Sequence, residues 1–282
     1  MQPPIVDLSE KEPEALAAPF YAALREALER RKLKLENVCP PSDRVARRVL
    51  EEYGAIFIAT EKVLVPPVCI FTSEEDVLRF QNRAGVCTEV IGEVSIELQP
   101  AAMEALLAAR LEVHEHDLDI TPRGGAEAAR RSYTDTLRLW DSRILPALDY
   151  WTECNRLSDD RTATLRCLEP HKQVAHVLEL EEAGIFFSKD FSKSIFYSIA
   201  PPGASQHISM LAFDAVEFRE TVVRRILAAH GWFQTVKSDL PHFTFLGLAE
   251  RQLPARGLRR EEWNEQVFWI PNVSKENKAS SA

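Results

Sequence analysis

Two histidines and two aspartates in the last third of the chain have the types and spacing of a metal site. His207 and Asp214 are seven residues apart, and Asp239 precedes His242 by three residues. Neutral imidazole nitrogens and carboxylate oxygens are ordinary zinc ligands, and a catalytic zinc ion keeps a fourth position open. We therefore predict that His207, Asp214 and His242 bind zinc, and that Asp239 handles the proton of a water molecule at the open position.

The local patterns predict how these side chains are positioned. Alternation in His242-Phe243-Thr244-Phe245 places His242 and Thr244 on one face of a strand and turns both phenylalanines towards the core. The offset between His207 and Asp214 has the wrong parity for one strand face, so we predict that a loop carries His207. A single histidine or aspartate here would more often form a hydrogen-bonded pair at a strand end than a metal site. The hypothesis therefore depends on the whole set.

Hydrophobic periodicity and capping residues predict the other elements. We predict helices over residues 10–35, 44–53, from 72 onward, 100–113, 126–155 with a bend at Pro146, 169–182 and 217–230. We predict strands or extended segments over residues 55–58, 63–65, 68–71, 92–98, 162–167, 195–200, 211–216, 232–236 and 243–248. The fold class that follows is α+β, with a small antiparallel sheet and flanking helices that carry the zinc site, plus an N-terminal α/β portion.

The strongest turn or loop signal in the chain is the segment Thr121-Pro122-Arg123-Gly124-Gly125. It predicts an N-terminal α/β region of unknown role over residues 1–121 and a second domain, which contains the zinc site, over residues 122–250. Residues 251–282 would be a C-terminal extension, and the polar residues past Ser274 are predicted to be disordered.

Composition excludes several classes of protein. The chain has 282 residues and a net charge of −9, which argues against a general nucleic-acid binder. It contains no apolar run long enough to cross a bilayer.

The five cysteines are odd in number and lack CxxC spacing, so we predict buried thiols in apolar strands, although one disulfide is possible. The compartment stays open: the cell envelope or periplasm if a signal peptide has been removed, otherwise the cytoplasm. No pattern indicates an oligomeric state.

The segment Pro202-Gly203-Ala204-Ser205-Gln206-His207, followed by Ala212 and Asp214, resembles the signature of zinc D-alanyl-D-alanine carboxypeptidases and dipeptidases. That family shares its fold with the hedgehog signalling domain. Its later Glu-x-x-His-Phe element corresponds here to Asp239-Leu240-Pro241-His242-Phe243, preceded by Gly231-Trp232-Phe233. The resemblance covers about residues 160–248. It implies a zinc-dependent peptidase that acts on D-alanyl-terminated peptides of the peptidoglycan type.

The resemblance also implies roles for individual residues. His207, Asp214 and His242 would be the zinc ligands, and Asp239 would be the general base. Ser205 would lie near the substrate. The family places a substrate-binding arginine between a strand and a helix, for which Arg166 is the best positional match.

Arg161 is the second choice for that arginine, although neither arginine stands in the aromatic-Arg-Ser context of the family element. Gln206 replaces a residue that is often charged, Met210 replaces a glycine, and Asp239 replaces glutamate. A second function therefore stays open, namely a catalytically inactive zinc-bearing protein of the same fold that binds peptides or a protein partner.

His114 and His116 would form another metal pair if they shared a strand face, but no third ligand is evident nearby.

Overall fold

Residues 17–274, which the computed structural model describes, form helices and small antiparallel sheets. The α-helices are α1 (Pro19–Arg30), α2 (Leu35–Val38), α3 (Arg44–Tyr53), α4 (Glu74–Ala84), α5 (Pro100–His114), α6 (Tyr133–Glu153), α7 (Asp159–Arg166), α8 (Pro170–Glu182) and α9 (Thr221–Ala229). The strands are β1 (Cys87–Ile91), β2 (Val94–Leu98), β3 (Ala212–Asp214), β4 (Trp232–Phe233), β5 (His242–Phe245), β6 (Leu258–Trp263) and β7 (Gln266–Pro271). None of the helices in this part of the chain combines the length and apolar character that a bilayer crossing requires.

The sheet that matters for function has three strands in the order β3-β5-β4, all antiparallel to their neighbours. The other two sheets are the hairpins β1–β2 and β6–β7. The expectation of an α+β fold with a small antiparallel sheet is therefore confirmed. The N-terminal region contributes helices and a single described hairpin to this architecture.

Short 3-10 helices complete the described chain, and they correct several predictions. They span Gly54–Ile58, Gly125–Ala128, Ile195–Tyr197, Gln206–Ser209, Glu250–Gln252 and Pro254–Arg256. The predicted strand at residues 55–58 and the predicted extended segment at 195–200 were wrong. The first lies in a 3-10 helix whose residues are all buried, and a short apolar run of this kind fits a strand or a buried helical turn equally well.

The strands predicted at residues 63–65 and 68–71 are also absent from the described structure. A side chain, rather than a neighbouring strand, pairs with the backbone of Leu64. Its N–H donates to Gln99 Oε1 at 2.9 Å and its carbonyl accepts from Gln99 Nε2 at 2.8 Å. The apolar pattern indicated burial, but a strand also needs a regular ladder of backbone hydrogen bonds. These residues form single backbone bonds instead, from Cys69 to Val38 and from Phe71 to Gly203.

Residues 162–167, predicted as a strand, belong mainly to helix α7. Ser158 caps this helix by accepting a hydrogen bond from the Arg161 N–H, and Asp159 and Asp160 occupy the first turn. An N-cap serine and acidic residues at a helix N-terminus stabilise it, and here they outweigh the β preference of threonine.

Most predicted helices are confirmed. Asp43 caps α3 by accepting from the N–H groups of Val45 and Ala46, and α6 continues through Pro146. In the first predicted helix, residues 19–30 form α1, whereas residues 10–16 lie outside the described part. The same is true of the tail past Ser274, for which disorder was predicted.

The cysteines differ from the prediction. Cys39 and Cys69 form a disulfide, the single bridge that the sequence allowed. Of the remaining three, Cys87 is half-buried while Cys154 and Cys167 are exposed, so the expectation of buried thiols was wrong for these two. The bridge joins the end of α2 to the loop that precedes α4 and closes a separation of 30 residues.

The buried core is continuous across the predicted domain boundary. It includes Phe20 and Leu106 from the first 121 residues, Phe213 and Trp232 from the middle region, and Trp269 from the C-terminal hairpin. The boundary at residue 121 stays a prediction, but the residues before it share one core with the site described next.

Candidate metal centre

Three side chains converge in the interior: His207, Asp214 and His242, here called the His–Asp–His cluster. His207 Nε2 lies 3.1 Å from His242 Nδ1, and Asp214 Oδ1 lies 3.0 Å from His242 Nδ1 and 3.3 Å from His207 Nε2. All three residues are buried. Tetrahedral zinc with ligand distances of about 2.0–2.2 Å separates its donor atoms by about 3.3–3.6 Å. The cluster therefore has nearly the spacing of a metal site, and it can bind a metal ion.

Strand register brings Asp214 and His242 together. Asp214 on β3 is directly opposite His242 on β5, and residues at such a position have neighbouring side chains. The predicted alternation along β5 is confirmed, because His242 and Thr244 both contact Gln206 while Phe243 and Phe245 are buried in the core.

His207 comes from the short 3-10 helix Gln206–Ser209, which agrees with the prediction that it lies off the strand. The turn before this helix packs tightly on the loop that follows the disulfide. Gly203 has φ of +75°, and a Cβ added there would lie 1.9 Å from the carbonyl oxygen of Phe71. Only glycine fits at this position, and the Phe71 N–H donates to the Gly203 carbonyl at 3.0 Å.

Met210 ends the 3-10 helix in the left-handed region, with φ of 57° and ψ of 30°. A side chain there costs about 1–2 kcal/mol relative to glycine. This is the position at which the resembling motif has glycine, the residue that adopts a positive φ without strain. The side chain of Met210 is fully buried, and its packing offsets part of the cost.

Two buried glutamines from the N-terminal region hold the His207 segment. Gln81 on α4 donates to the carbonyl of Ile208 at 3.1 Å, and Gln99 donates to the carbonyl of Ser209 at 2.8 Å. The Gln99 N–H also donates to the carbonyl of Met210 at 3.1 Å. Buried carbonyl groups need such partners, so the N-terminal region fixes the position of one candidate ligand.

Gln206 determines which nitrogen of His242 carries hydrogen. Gln206 Nε2 lies 2.8 Å from the carbonyl oxygen of Tyr53, which only accepts, and this fixes the orientation of the amide. Gln206 Oε1 then faces His242 Nε2 at 2.8 Å. Because an amide oxygen also only accepts, His242 Nε2 must donate, and in the neutral ring Nδ1 keeps a lone pair.

That lone pair points at other electron-rich atoms. His242 Nδ1 faces the carboxylate oxygen of Asp214 at 3.0 Å, and two lone pairs at this distance repel each other unless positive charge lies between them. The charge can be a proton or a metal ion. Hydrogen on His207 Nε2, which lies 3.1 Å from His242 Nδ1, would also meet that lone pair, so the His–Asp–His cluster can bind a metal ion but does not depend on one.

Arg131 fixes the other side of the carboxylate. Its guanidinium donates to Asp214 Oδ2 at 3.1 Å and to the carbonyl of Glu127 at 3.2 Å, which leaves Asp214 Oδ1 for the histidines. Burial would raise the pKa of Asp214, but the contacts with His207 and His242 outweigh burial and hold that pKa well below its usual value. Asp214 is therefore ionised at neutral pH.

Burial, and then the positive charge of Arg131, lower the pKa of His207 from 6.5 to about 4. His207 is therefore neutral at neutral pH, as a metal ligand must be. Its other nitrogen, Nδ1, is buried and has no hydrogen-bond partner among residues 17–274. Metal-binding histidines normally donate from their second nitrogen, so His207 lacks the support that Gln206 gives to His242.

The lowered pKa of His207 predicts acid sensitivity of the metal-free protein. As the pH falls below 6.5, His207 takes up a proton in the unfolded chain but not yet in the folded chain. The contribution of this histidine to the free energy of unfolding is therefore complete above about pH 6.5 and is lost as the pH falls through about 4. The expected loss is about 3 kcal/mol. Urea unfolding of chelator-treated protein at a series of pH values measures it. The His207→Gln variant should flatten this dependence, and an unchanged profile in that variant would contradict the assignment.

A cavity of about 120 Å³ adjoins the cluster. His207 and His242 line it together with Arg131, Ser205 and Asp239. Asp239 is an exposed residue, although it lines this concave cavity. The surrounding protein atoms, and then the negative charge of Asp214, raise its pKa. The structure therefore brings the predicted ligands, the predicted base and Ser205 to one place.

The predicted arginine is not at this place. Arg166 is exposed at the end of α7, where it pairs with Asp149, and Arg161 is exposed on the same helix. Arg131 lines the cavity instead. The signal that would have found it is Arg131-Ser132, which provides the Arg-Ser part of the expected context just before α6 begins.

His114 and His116 do not form the alternative metal pair. His114 is the last residue of α5 rather than part of a strand, and its ring contacts Asp119 at 2.9 Å. Both histidines are exposed. Among the residues that the structure describes, only the His–Asp–His cluster brings three or more potential ligand atoms of histidine, cysteine or acidic side chains together.

Larger cavities occur elsewhere in the described chain. One of about 550 Å³ lies between α9 and β7, and one of about 600 Å³ is lined by residues 63–72 and α4. Neither includes a member of the His–Asp–His cluster. We place the candidate site at the small cavity because the converging donors and Asp239 are there, and because chemistry rather than volume identifies a reactive site.

Comparisons of the chain with protein-family models, with curated proteins and with solved structures found no match. The resemblance to zinc D-alanyl-D-alanine peptidases therefore rests on the motif residues themselves.

Proposed function

We propose that this protein is a zinc-dependent peptidase that hydrolyses D-alanyl-terminated peptides of the peptidoglycan type. The observation that supports it best is the convergence of three electron-pair donors on one buried point, next to a cavity that also contains an aspartate with a raised pKa. The type of peptide comes from the motif resemblance alone. The hydrolytic chemistry comes from the donor set together with Asp239.

In this proposal His207, Asp214 and His242 hold the zinc ion. A bound zinc ion would polarise the substrate carbonyl and lower the pKa of a neighbouring water molecule. Asp239 would accept the proton of that water on its carboxylate and return it to the leaving amine. A raised pKa favours this role, because such a carboxylate accepts a proton more readily near neutral pH.

Arg131 and Ser205 are proposed to orient the substrate. Both line the cavity beside the two histidines. A guanidinium group suits a peptide carboxylate or carbonyl oxygen because its donors form a planar fork. Arg131 uses some of these donors for Asp214 and Glu127, so it would hold the substrate and a zinc ligand in a fixed relation.

The direct test is to incubate the zinc-loaded and chelator-treated forms with peptides that end in D-alanyl-D-alanine. We expect release of D-alanine from the zinc-loaded form only. Peptides ending in L-alanyl-L-alanine are the matched control for the type of bond. If zinc-loaded protein releases no amino acid from a broad peptide panel, the peptidase proposal is wrong.

Two observations favour a second candidate, a zinc-bearing protein that binds peptides or a partner without turnover. Asp239 is shorter than the expected glutamate by one methylene, about 1.5 Å of reach. The cavity of about 120 Å³ is also smaller than sites that enclose a small molecule, which are typically about 300–1,000 Å³. Binding of the same peptides by zinc-loaded protein, measured by calorimetry and without release, would support this candidate.

A further inference from the structure

Gln206 is the centre of a buried hydrogen-bond network that includes the candidate ligand His242. Gln206 is buried, and its amide oxygen accepts from both His242 Nε2 at 2.8 Å and the Thr244 hydroxyl at 2.5 Å. Its amide nitrogen donates to the Tyr53 carbonyl at 2.8 Å. Thr235 closes the network through a 2.7 Å contact with Thr244. A buried network in which each polar group has a partner holds a single arrangement of its members.

We propose that Gln206 is a positioning residue that keeps hydrogen on His242 Nε2 and thereby presents the Nδ1 lone pair to the metal ion. The inference rests on the proposed function, because it assigns a role within the same metal centre. A flipped amide would place Gln206 Oε1 against the Tyr53 carbonyl and the NH₂ group against His242. The first contact would join two acceptors, so the backbone of α3 selects the orientation.

The two candidate histidine ligands differ in whether a second residue holds the ring nitrogen that faces away from the cluster. His207 Nδ1 has no partner among the described residues, whereas His242 Nε2 has Gln206. Groups that orient a metal ligand from behind typically contribute 10- to 100-fold to metal affinity. We infer that His242 is the ligand whose ring is held in advance, and that α3 and β5 cooperate in holding it through Gln206.

The test compares two substitutions. Gln206→Met removes the amide at similar length. Gln206→Glu keeps an acceptor for His242 Nε2, and its neutral carboxyl form also keeps a donor for the Tyr53 carbonyl. Gln206→Met is expected to weaken zinc binding by about 10- to 100-fold, and Gln206→Glu by no more than a few-fold. The control is Gln173→Met, because Gln173 is a buried glutamine that bonds Trp140 and the Leu165 carbonyl outside the cluster. A chelator competition assay gives the zinc dissociation constants.

A second readout separates positioning from a general loss of structure. Nitrogen NMR of ¹⁵N-histidine-labelled, metal-free protein reports whether His242 Nε2 carries hydrogen. We expect a protonated Nε2 in the wild type, in Gln206→Glu and in the Gln173→Met control, and its loss or mixing with the other tautomer in Gln206→Met.

The inference is overturned if Nε2 lacks hydrogen in the wild type. It is also overturned if Gln206→Met changes neither the NMR signal nor the zinc affinity. Failure of the wild type to bind zinc would instead contradict the proposed function, while the NMR measurement on metal-free protein would still decide the role of Gln206.

Discussion

Replacing Asp239 with asparagine is expected to slow peptide hydrolysis by about 10²- to 10⁴-fold while zinc stays bound. The carboxylate lies in the cavity beside His207 and His242, but it is not a member of the His–Asp–His cluster. Asparagine keeps the size of the side chain and removes its ability to accept a proton. Rates of D-alanine release and zinc content, measured on the same preparations, test this directly.

Two further variants sharpen that experiment. Asp141→Asn changes an exposed aspartate on α6 and should leave the rate unchanged. Asp239→Glu restores the longer carboxylate of the resembling motif and should keep or raise the rate. Full activity of zinc-bound Asp239→Asn would show that another group moves the proton, and the assignment of Asp239 as the base would then be wrong.

Replacing His242 with alanine is expected to weaken zinc binding by at least about 100-fold. Four-ligand structural zinc sites contribute roughly 10–16 kcal/mol, or about 3 kcal/mol for each ligand, which corresponds to a factor of about 100 or more. The loss should exceed that of Gln206→Met, because the variant removes the donor atom itself. Chelator competition measures the effect.

The matched control for His242→Ala is His116→Ala, which removes an exposed histidine outside the cluster. Circular dichroism must show that both variants are folded, since His242 is buried and contacts Asp214. Equal zinc affinity in folded His242→Ala and in the wild type would exclude His242 as a ligand.

The candidate ligands could be predicted from the sequence because each signal is local. The turn before His207, the short strand that ends at Asp214 and the alternation along β5 each constrain one side chain. Whether these side chains meet depends on the register of β3 with β5. The sequence indicates that register only through the buried residues that the two strands have in common.

Arg131 was missed for the opposite reason. It lies 83 residues from Asp214 along the chain, and no periodicity connects the two. The positional match that favoured Arg166 also assumed a strand at residues 162–167, where the Ser158 cap and two acidic residues produce a helix instead. The wrong element therefore favoured Arg166, which the structure places at an exposed helix end outside the cavity.

The N-terminal region shows why apolar runs alone do not define strands. Residues 63–71 are apolar because they pack in the core, yet their backbone pairs with Gln99 and with the Gly203 turn rather than with a neighbouring strand. The Cys39–Cys69 disulfide fixes the same loop. Spacing could not predict that pairing, because five cysteines allow many combinations.

The most direct test of the central claim is a zinc titration of the metal-free wild-type chain, followed by X-ray absorption spectroscopy of the product. We expect one zinc ion per chain, with two imidazole nitrogens and carboxylate oxygen in its coordination shell. Failure to bind one equivalent of zinc, or a shell without two histidine nitrogens, would contradict it.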